Sequence, residues 1–206
     1  MMGDLLAERL RLCTDVSSVL NTTLDRCLTL VGTGLGNIQL VDWSTGYLSI
    51  AAQRGFSEKF LSFFARVGAH DGSACGRALR ARDVIIVDDV EKDKSFSPAS
   101  RSIVLGDGVR AVQSMPLIST SGAFVGMLST HFGTVRSPGD NELIAMKALA
   151  QAAANAVIAH RARRADLYPR SLDLIASSRA LLRRIARDNG SGREPGDDMK
   201  PFARRI

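Results

Sequence analysis

Two strand-length runs, Val109–Ser119 and Ala123–Phe132, are separated only by Thr120-Ser121-Gly122, a connection with the chemistry of a hairpin turn. A second such pair lies upstream, where Asn37–Trp43 and Tyr47–Gln53 flank Ser44-Thr45-Gly46. Paired hairpins commit most of the strands to antiparallel neighbours. A further buried strand is expected at Val84–Val87, opened by Asp83 and closed by Asp88-Asp89-Val90. The chain does not alternate strand and helix as a doubly wound fold would, and it holds no internal repeat.

Helical patterns frame these strands. Residues 3–32 carry Leu5, Leu6, Leu10, Leu12, Val16, Val19, Leu20, Leu24, Leu28 and Val31 at spacings that predict one amphipathic helix of about seven turns. A break is conceivable near Asn21-Thr22-Thr23, and Gly32, Gly34 and Gly36 end the helix. Ser57 is expected to cap a short helix through Arg66, and Ser73–Arg82 reads as another. Residues 91–108 form a long polar connection with one helical turn around Ala99–Leu105; such connections are usually functional. Ser137-Pro138-Gly139-Asp140 starts an alanine-rich helix to about Arg164, with Leu143, Met146, Leu149, Ala153 and Val157 as its stripe. Pro169 is expected to separate a last amphipathic helix, Arg170–Arg187, and the glycine- and proline-containing stretch from Asn189 onward is expected to be disordered. The implied class is α+β, with a helical layer on the sheet. The expected domains are 1–164, an amphipathic basic helix at 165–188, and a tail at 189–206.

Charge and cysteine content narrow the function classes. Residues 1–159 hold 15 basic and 15 acidic side chains, whereas 160–206 hold 12 basic and 6 acidic, so the net charge of +6 belongs to the C-terminal segment. A neutral body gives no reason to expect a nucleic-acid groove. No run approaches the ~18 apolar residues of a membrane span, and the first residues lack a basic-then-apolar leader, so a cytoplasmic chain with no membrane partner is expected. Cys13, Cys27 and Cys75 form no CxxC, which argues against a disulfide framework or a zinc site. Cys13 and Cys27, fourteen residues apart on what reads as one helix, are too distant to bridge and are expected to be buried thiols.

Six strings in order resemble the GAF domain, a small-molecule-binding regulatory module, in the version found in bacterial signalling proteins and often beside sensor histidine kinases. They are GNIQLVD (36–42), RGF (54–56), GSACGRAL (72–79), VIIVDDVEKDKSF (84–96), GVRAVQSMPLIS (108–119) and GAFVGMLSTHF (122–132). With flanking helices the resemblance covers about residues 5–160. It implies a GAF/PAS-like antiparallel sheet of five or six strands, end helices packed on one face and a ligand pocket on the other. Carried over position by position, the pocket contacts would fall on Asn37, Gln39, Gln53, Arg54, Phe56, Ala74, Cys75, Asp88 or Asp89, Phe96, Gln113 and His131. Alternation independently puts Asn37, Gln39 and Val41 on one face of their strand, and Ala111, Gln113 and Met115 on one face of theirs. Amides on an otherwise apolar strand suit a polar ligand; the plainer reading is that each bonds loop backbone or faces water.

Cys75 invites comparison with free methionine-(R)-sulfoxide reductases, which resemble this chain at Gly72–Gly76. Their chemistry needs a second cysteine in the loop that here reads Lys94-Ser95-Phe96-Ser97-Pro98-Ala99-Ser100, and carboxylates where Val112 or Gln113, Ser129 and His131 stand. Without a resolving thiol the reductase reading is the alternative, and a redox-sensing or packed Cys75 is weighed beside it. No cysteine is followed by His, so no covalent bilin is expected. Haem would need only one axial ligand, His131 or His70, though a lone His is ordinarily just a polar side chain. No intact cyclic-nucleotide signature and no metal-ligand spacing are found. Gly32-Thr33-Gly34-Leu35-Gly36 has a helix before it and a strand after, the reverse of a dinucleotide fingerprint, and reads as a linker. The expected function is a sensory module with a pocket on one sheet face, no catalytic residue, an unknown ligand, and end helices that pair with a second copy. A histidine kinase or response regulator is the expected partner class.

Overall fold

The computed structural model describes residues 8–10 and 12–188, with the backbone alone for 166–174 and 184–188. The expected tail at 189–206, and Leu5 and Leu6, lie outside the described residues. The elements run α1 (Val16–Val31), β1 (Leu35–Val41), β2 (Leu48–Arg54), α2 (Glu58–Phe63), β3 (Arg66–Val67), α3 (Ala74–Ala81), β4 (Ile85–Val87), α4 (Pro98–Gly106), β5 (Ala111–Ile118), β6 (Phe124–Phe132) and α5 (Asp140–Asp188). Six strands form one sheet in the order β3-β2-β1-β6-β5-β4, and every pairing is antiparallel. The fold is therefore the expected α+β arrangement, with six strands.

Chain contacts divide at Arg161/Ala162. In the first unit, the sheet separates two apolar layers. One side packs Ile38, Met115, Leu117 and Leu128 against Leu20, Leu24 and Leu28 of α1 and Met146, Leu149, Ala153 and Val157 of α5. The stripe expected on α5 is thus the one it buries, with Leu143 packed at its margin. Against the expectation that no run approaches a membrane span, the Asp140–Ala165 stretch is long and apolar enough to cross a membrane by length and composition; 39% of its apolar window is buried, with Met146, Leu149, Ala153 and Val157 in the core. The other side carries Phe56, Phe60, Phe64 and Phe96 with Val67, Val104 and Val112. In the second unit, Ile175, Leu181 and Leu182 of α5 are exposed.

Four expectations need correction. The expected single N-terminal helix is interrupted: residues 8–10 are helical, and α1 starts afresh at Val16, where the Asp15 carboxylate accepts a hydrogen bond from the Ser18 N–H at 2.7 Å and caps it. Cys13 therefore precedes that helix and is half-buried, whereas Cys27 is buried within it. Gly36 is no linker residue: it sits inside β1, where a Cβ would come within 2.7 Å of Leu28 Cδ2 and 2.9 Å of the Ser129 carbonyl. Only glycine lets α1 lie that close to the sheet. Arg66–Val67, expected to end or follow a helix, pairs with β2 as an edge strand. Finally, α5 runs unbroken from Asp140 to Asp188 through Pro169, which forfeits one backbone N–H bond without ending the helix.

Candidate functional site

The phenylalanine side of the sheet encloses a cavity of about 20 Å³, counted as space that the centre of a water molecule can occupy. That is room for about one water, so the protein's own side chains nearly fill it. β1 contributes Asn37 and Gln39, and β6 contributes His131, all on one face by strand alternation. α3 brings Ser73, Ala74 and Cys75 over them; α2 brings Phe60 and Phe64; Phe96 and Val104 close the far side. Ser73 caps α3 by accepting the Gly76 N–H at 3.3 Å, which fixes Cys75 in the first turn, facing the sheet.

Three polar atoms here have no hydrogen-bond partner within the protein: Asn37 Oδ1, Gln39 Oε1 and His131 Nδ1. Their side chains are 2%, 1% and 3% exposed. Buried polar atoms are nearly always paired, and an orphan costs about 1–3 kcal/mol, so three around one cavity call for an explanation. Burial pushes His131 down to about 3, against the opposing pull of Asp107, which leaves a neutral imidazole. Phe56 and Phe60 meet that ring edge-on at centroid distances of 4.8 and 5.8 Å, and stack on one another at 4.0 Å.

Cys75 Sγ lies 3.2 Å from Ser129 Oγ and 3.5 Å from Ser114 Oγ, and the two serine hydroxyls are 2.9 Å apart. Burial raises its pKa more than these hydrogen bonds lower it, so Cys75 is held as a thiol. Cys27 lies in the layer on the other side of the sheet, and the loop position where reductase chemistry needs a thiol holds serines. Nucleophilic thiolate chemistry has no support in this geometry.

Of the side chains expected at a pocket, Asn37, Gln39, Ala74, Cys75, Phe96 and His131 line the cavity, with Phe56 behind Phe60. The others lie elsewhere. Arg54 faces α1, with Nε 2.9 Å from Asp25 and an N–H donated to Asn21 Oδ1 at 3.1 Å. Gln53 accepts the Phe56 N–H at 3.4 Å, a turn-stabilising role. Asp88 is exposed, and Asp89 pairs with Arg110 at 3.0 Å, which holds its carboxyl below the usual range. Gln113 points to the helical side and donates to Glu142 Oε1 at 3.0 Å. The residues that reasoning from sequence missed are Ser114 and Ser129; alternation from His131 would have found Ser129. Among the described residues no group of three His, Cys, Asp or Glu is placed to hold a metal. His131, hemmed by two phenyl rings, leaves no room for haem in this conformation, and His70 is exposed in a loop.

The segment over the cavity is tied down. Arg77 of α3 meets Asp93 at 2.7 Å, and Arg101 of α4 donates to the Asp93 and Phe96 carbonyls at 2.6 and 3.4 Å. Gly72 lies so near Ser95 that a Cβ would come within 1.9 Å of its carbonyl oxygen.

A family model described as a GAF domain matches residues 13–157. The chain belongs to the GAF domain family. Solved GAF-type structures share its fold. A domain of a two-component sensor histidine kinase protein from Sinorhizobium meliloti 1021 is 22% identical, with a TM-score of 0.63 over 76% of this chain and 99% of that one. The GAF domain of a phosphoenolpyruvate-protein phosphotransferase from Coxiella burnetii is 16% identical, with a TM-score of 0.65 over 79% and 94%. Free methionine-R-sulfoxide reductase from Neisseria meningitidis, solved with its substrate, is 18% identical, with a TM-score of 0.63 over 77% and 87%. No curated protein matches this sequence. At these identities the structural likeness speaks to the fold alone; the chemistry of this GAF domain rests on its own side chains.

Proposed function

We propose that this GAF domain is a sensory module that binds a small molecule in the cavity between β1, β6, α2, α3 and the 91–108 segment. The observation that carries this reading is the convergence of Asn37, Gln39 and His131, three buried side chains with an unpartnered polar atom each, on one cavity. A ligand would supply the missing partners. Since the space is about 20 Å³, entry requires the phenylalanine wall to move, and the loop that carries Phe96 is tied through Asp93 to Arg77 and Arg101 as well as by the packing of Phe96. Binding would change the balance between closed and open arrangements by its differential affinity for them. The helical face would read that change through the Gln113–Glu142 hydrogen bond, which joins β5 to the start of α5.

The output we propose is an altered pairing of two copies through their end helices, acting in the cytoplasm on a histidine kinase or response regulator. Exposed Leu12 and Ile144 on the N-terminal segment and α5 are apolar surface available for such pairing. Native mass spectrometry of protein purified from its own host tests the receptor reading. A co-purifying small molecule and a change in hydrogen exchange at 91–108 on its removal are expected. If no molecule is retained and 91–108 exchanges identically with every compound shown to bind, the reading fails.

A further inference from the structure

The chemistry of the cavity restricts what it can accept. No Asp, Glu, Lys or Arg is among its lining residues, and its two titratable groups, Cys75 and His131, are both held neutral by burial. A charged ligand would leave water for a site with no counter-charge, a penalty of several kcal/mol. The unpartnered buried polar atoms among the lining side chains are the Asn37 and Gln39 carbonyl oxygens and one ring nitrogen of His131. Carbonyl oxygens accept and never donate. The rest of the lining is largely apolar: Phe60, Phe64 and Phe96 with Val67, Val104 and Val112. Displacing a single phenyl ring, that of Phe96, would make room for one ring of about the same size.

We infer that the pocket selects an uncharged single-ring ligand that donates at least two hydrogen bonds, with Asn37 and Gln39 as its acceptors and His131 beside them. Of the Cys75–Ser114–Ser129 cluster, whose members hydrogen-bond one another, only Cys75 lines the cavity. This inference rests on reading the cavity as a ligand site, and it adds the ligand's charge and hydrogen-bond pattern. It also has a consequence without any ligand: Gln39→Met keeps the shape and removes an unpaired carbonyl, so it should stabilise the free protein.

The test uses the full chain, labelled for amide NMR at pH 8, with probes of similar size. Uracil is neutral with two N–H donors, pyridine is neutral with none, benzoate is an anion and N-methylpyridinium a cation. Uracil at millimolar concentration is expected to shift the side-chain amide signals of Asn37 and Gln39, and the other three are not. Gln39→Met should weaken uracil binding about tenfold or more while raising the Tm of the free protein by about 3 °C. Asn37→Leu repeats the measurement if the first variant does not fold. If benzoate, N-methylpyridinium or pyridine shifts those signals as well as uracil does, the proposed ligand class is wrong and the pocket stands. If no probe shifts them, Gln39→Met lowers the Tm and no molecule co-purifies from the host, the pocket reading falls with it.

Discussion

One sheet supports two cores of opposite character. On the helical side, Leu20, Leu24, Leu128, Met146 and Val157 interlock, and the buried polar groups there are paired: Thr23 with the Val19 carbonyl at 2.8 Å, Gln113 with Glu142. On the other side lie phenylalanines, a buried serine pair, a neutral histidine and three unpartnered polar atoms. The first core follows the rule that buried polar groups find partners, and the second breaks it. The difference teaches where stability and where specificity reside. A fold held by its helical side can tolerate unsatisfied groups on the other, and unsatisfied groups are what a ligand recognises.

Truncation should separate the two sides most clearly. Leu128→Ala removes a fully buried side chain from the helical core and should destabilise by about 3–4 kcal/mol in chemical denaturation. Phe96→Ala removes a larger side chain, yet one that borders an existing cavity, and should cost less than Leu128→Ala. The reverse ranking would mean that both sides are packed alike. Acid should come next in size. His131 titrates at about 3 in the fold and near 6.5 when unfolded, so between those values the unfolded chain binds the extra proton. Stability is therefore complete above about pH 6.5 and falls as pH drops toward 3, by about 2–3 kcal/mol at pH 4.5. His131→Gln should flatten that slope in denaturation curves taken at each pH; an unchanged slope would place the titration elsewhere.

Much of this contrast is visible in the sequence, and the failures have physical causes. The hairpins are legible because period-two runs ending in Ser-Thr-Gly or Thr-Ser-Gly admit little else. Asn37, Gln39 and His131 are legible because alternation assigns a face once β1 and β6 are recognised. Gln113 is misplaced for the same reason that alternation is powerful: neighbours on a strand face opposite ways, and Gln113 and Ser114 are both polar. Ser114 holds the pocket side and Gln113 reaches Glu142. The two-residue edge strand Arg66–Val67 is too short to carry a period, and the apolar spacing that continues upstream of Asp15 hides a capping residue. The unpartnered state of Asn37, Gln39 and His131 depends on every neighbour at once, and no local pattern encodes it.

Smaller effects test the boundary between the two sides. Arg77→Ala removes the ion pair that ties Asp93 to α3, a half-buried contact worth about 1 kcal/mol. Hydrogen exchange should then speed up about fivefold across 91–97 and stay unchanged in α1 and β1, as expected if this segment opens as a local unit. Uniform acceleration would make the segment part of the global core.

The thiols give the finest comparison, because labelling them perturbs stability least. Cys13 is half-buried and should react first with a disulfide reagent at neutral pH. Burial lifts Cys27 to about 12, with Glu142 adding to the shift, so its thiolate forms only when the helical core opens. Cys75 is also buried, but the layer above it includes Phe96, whose loop is tied to α3 by the Arg77–Asp93 ion pair. Its labelling should therefore accelerate in Arg77→Ala while that of Cys27 does not. Equal rates for the two in both proteins would show that the sides open together, and the functional contrast between them would be lost.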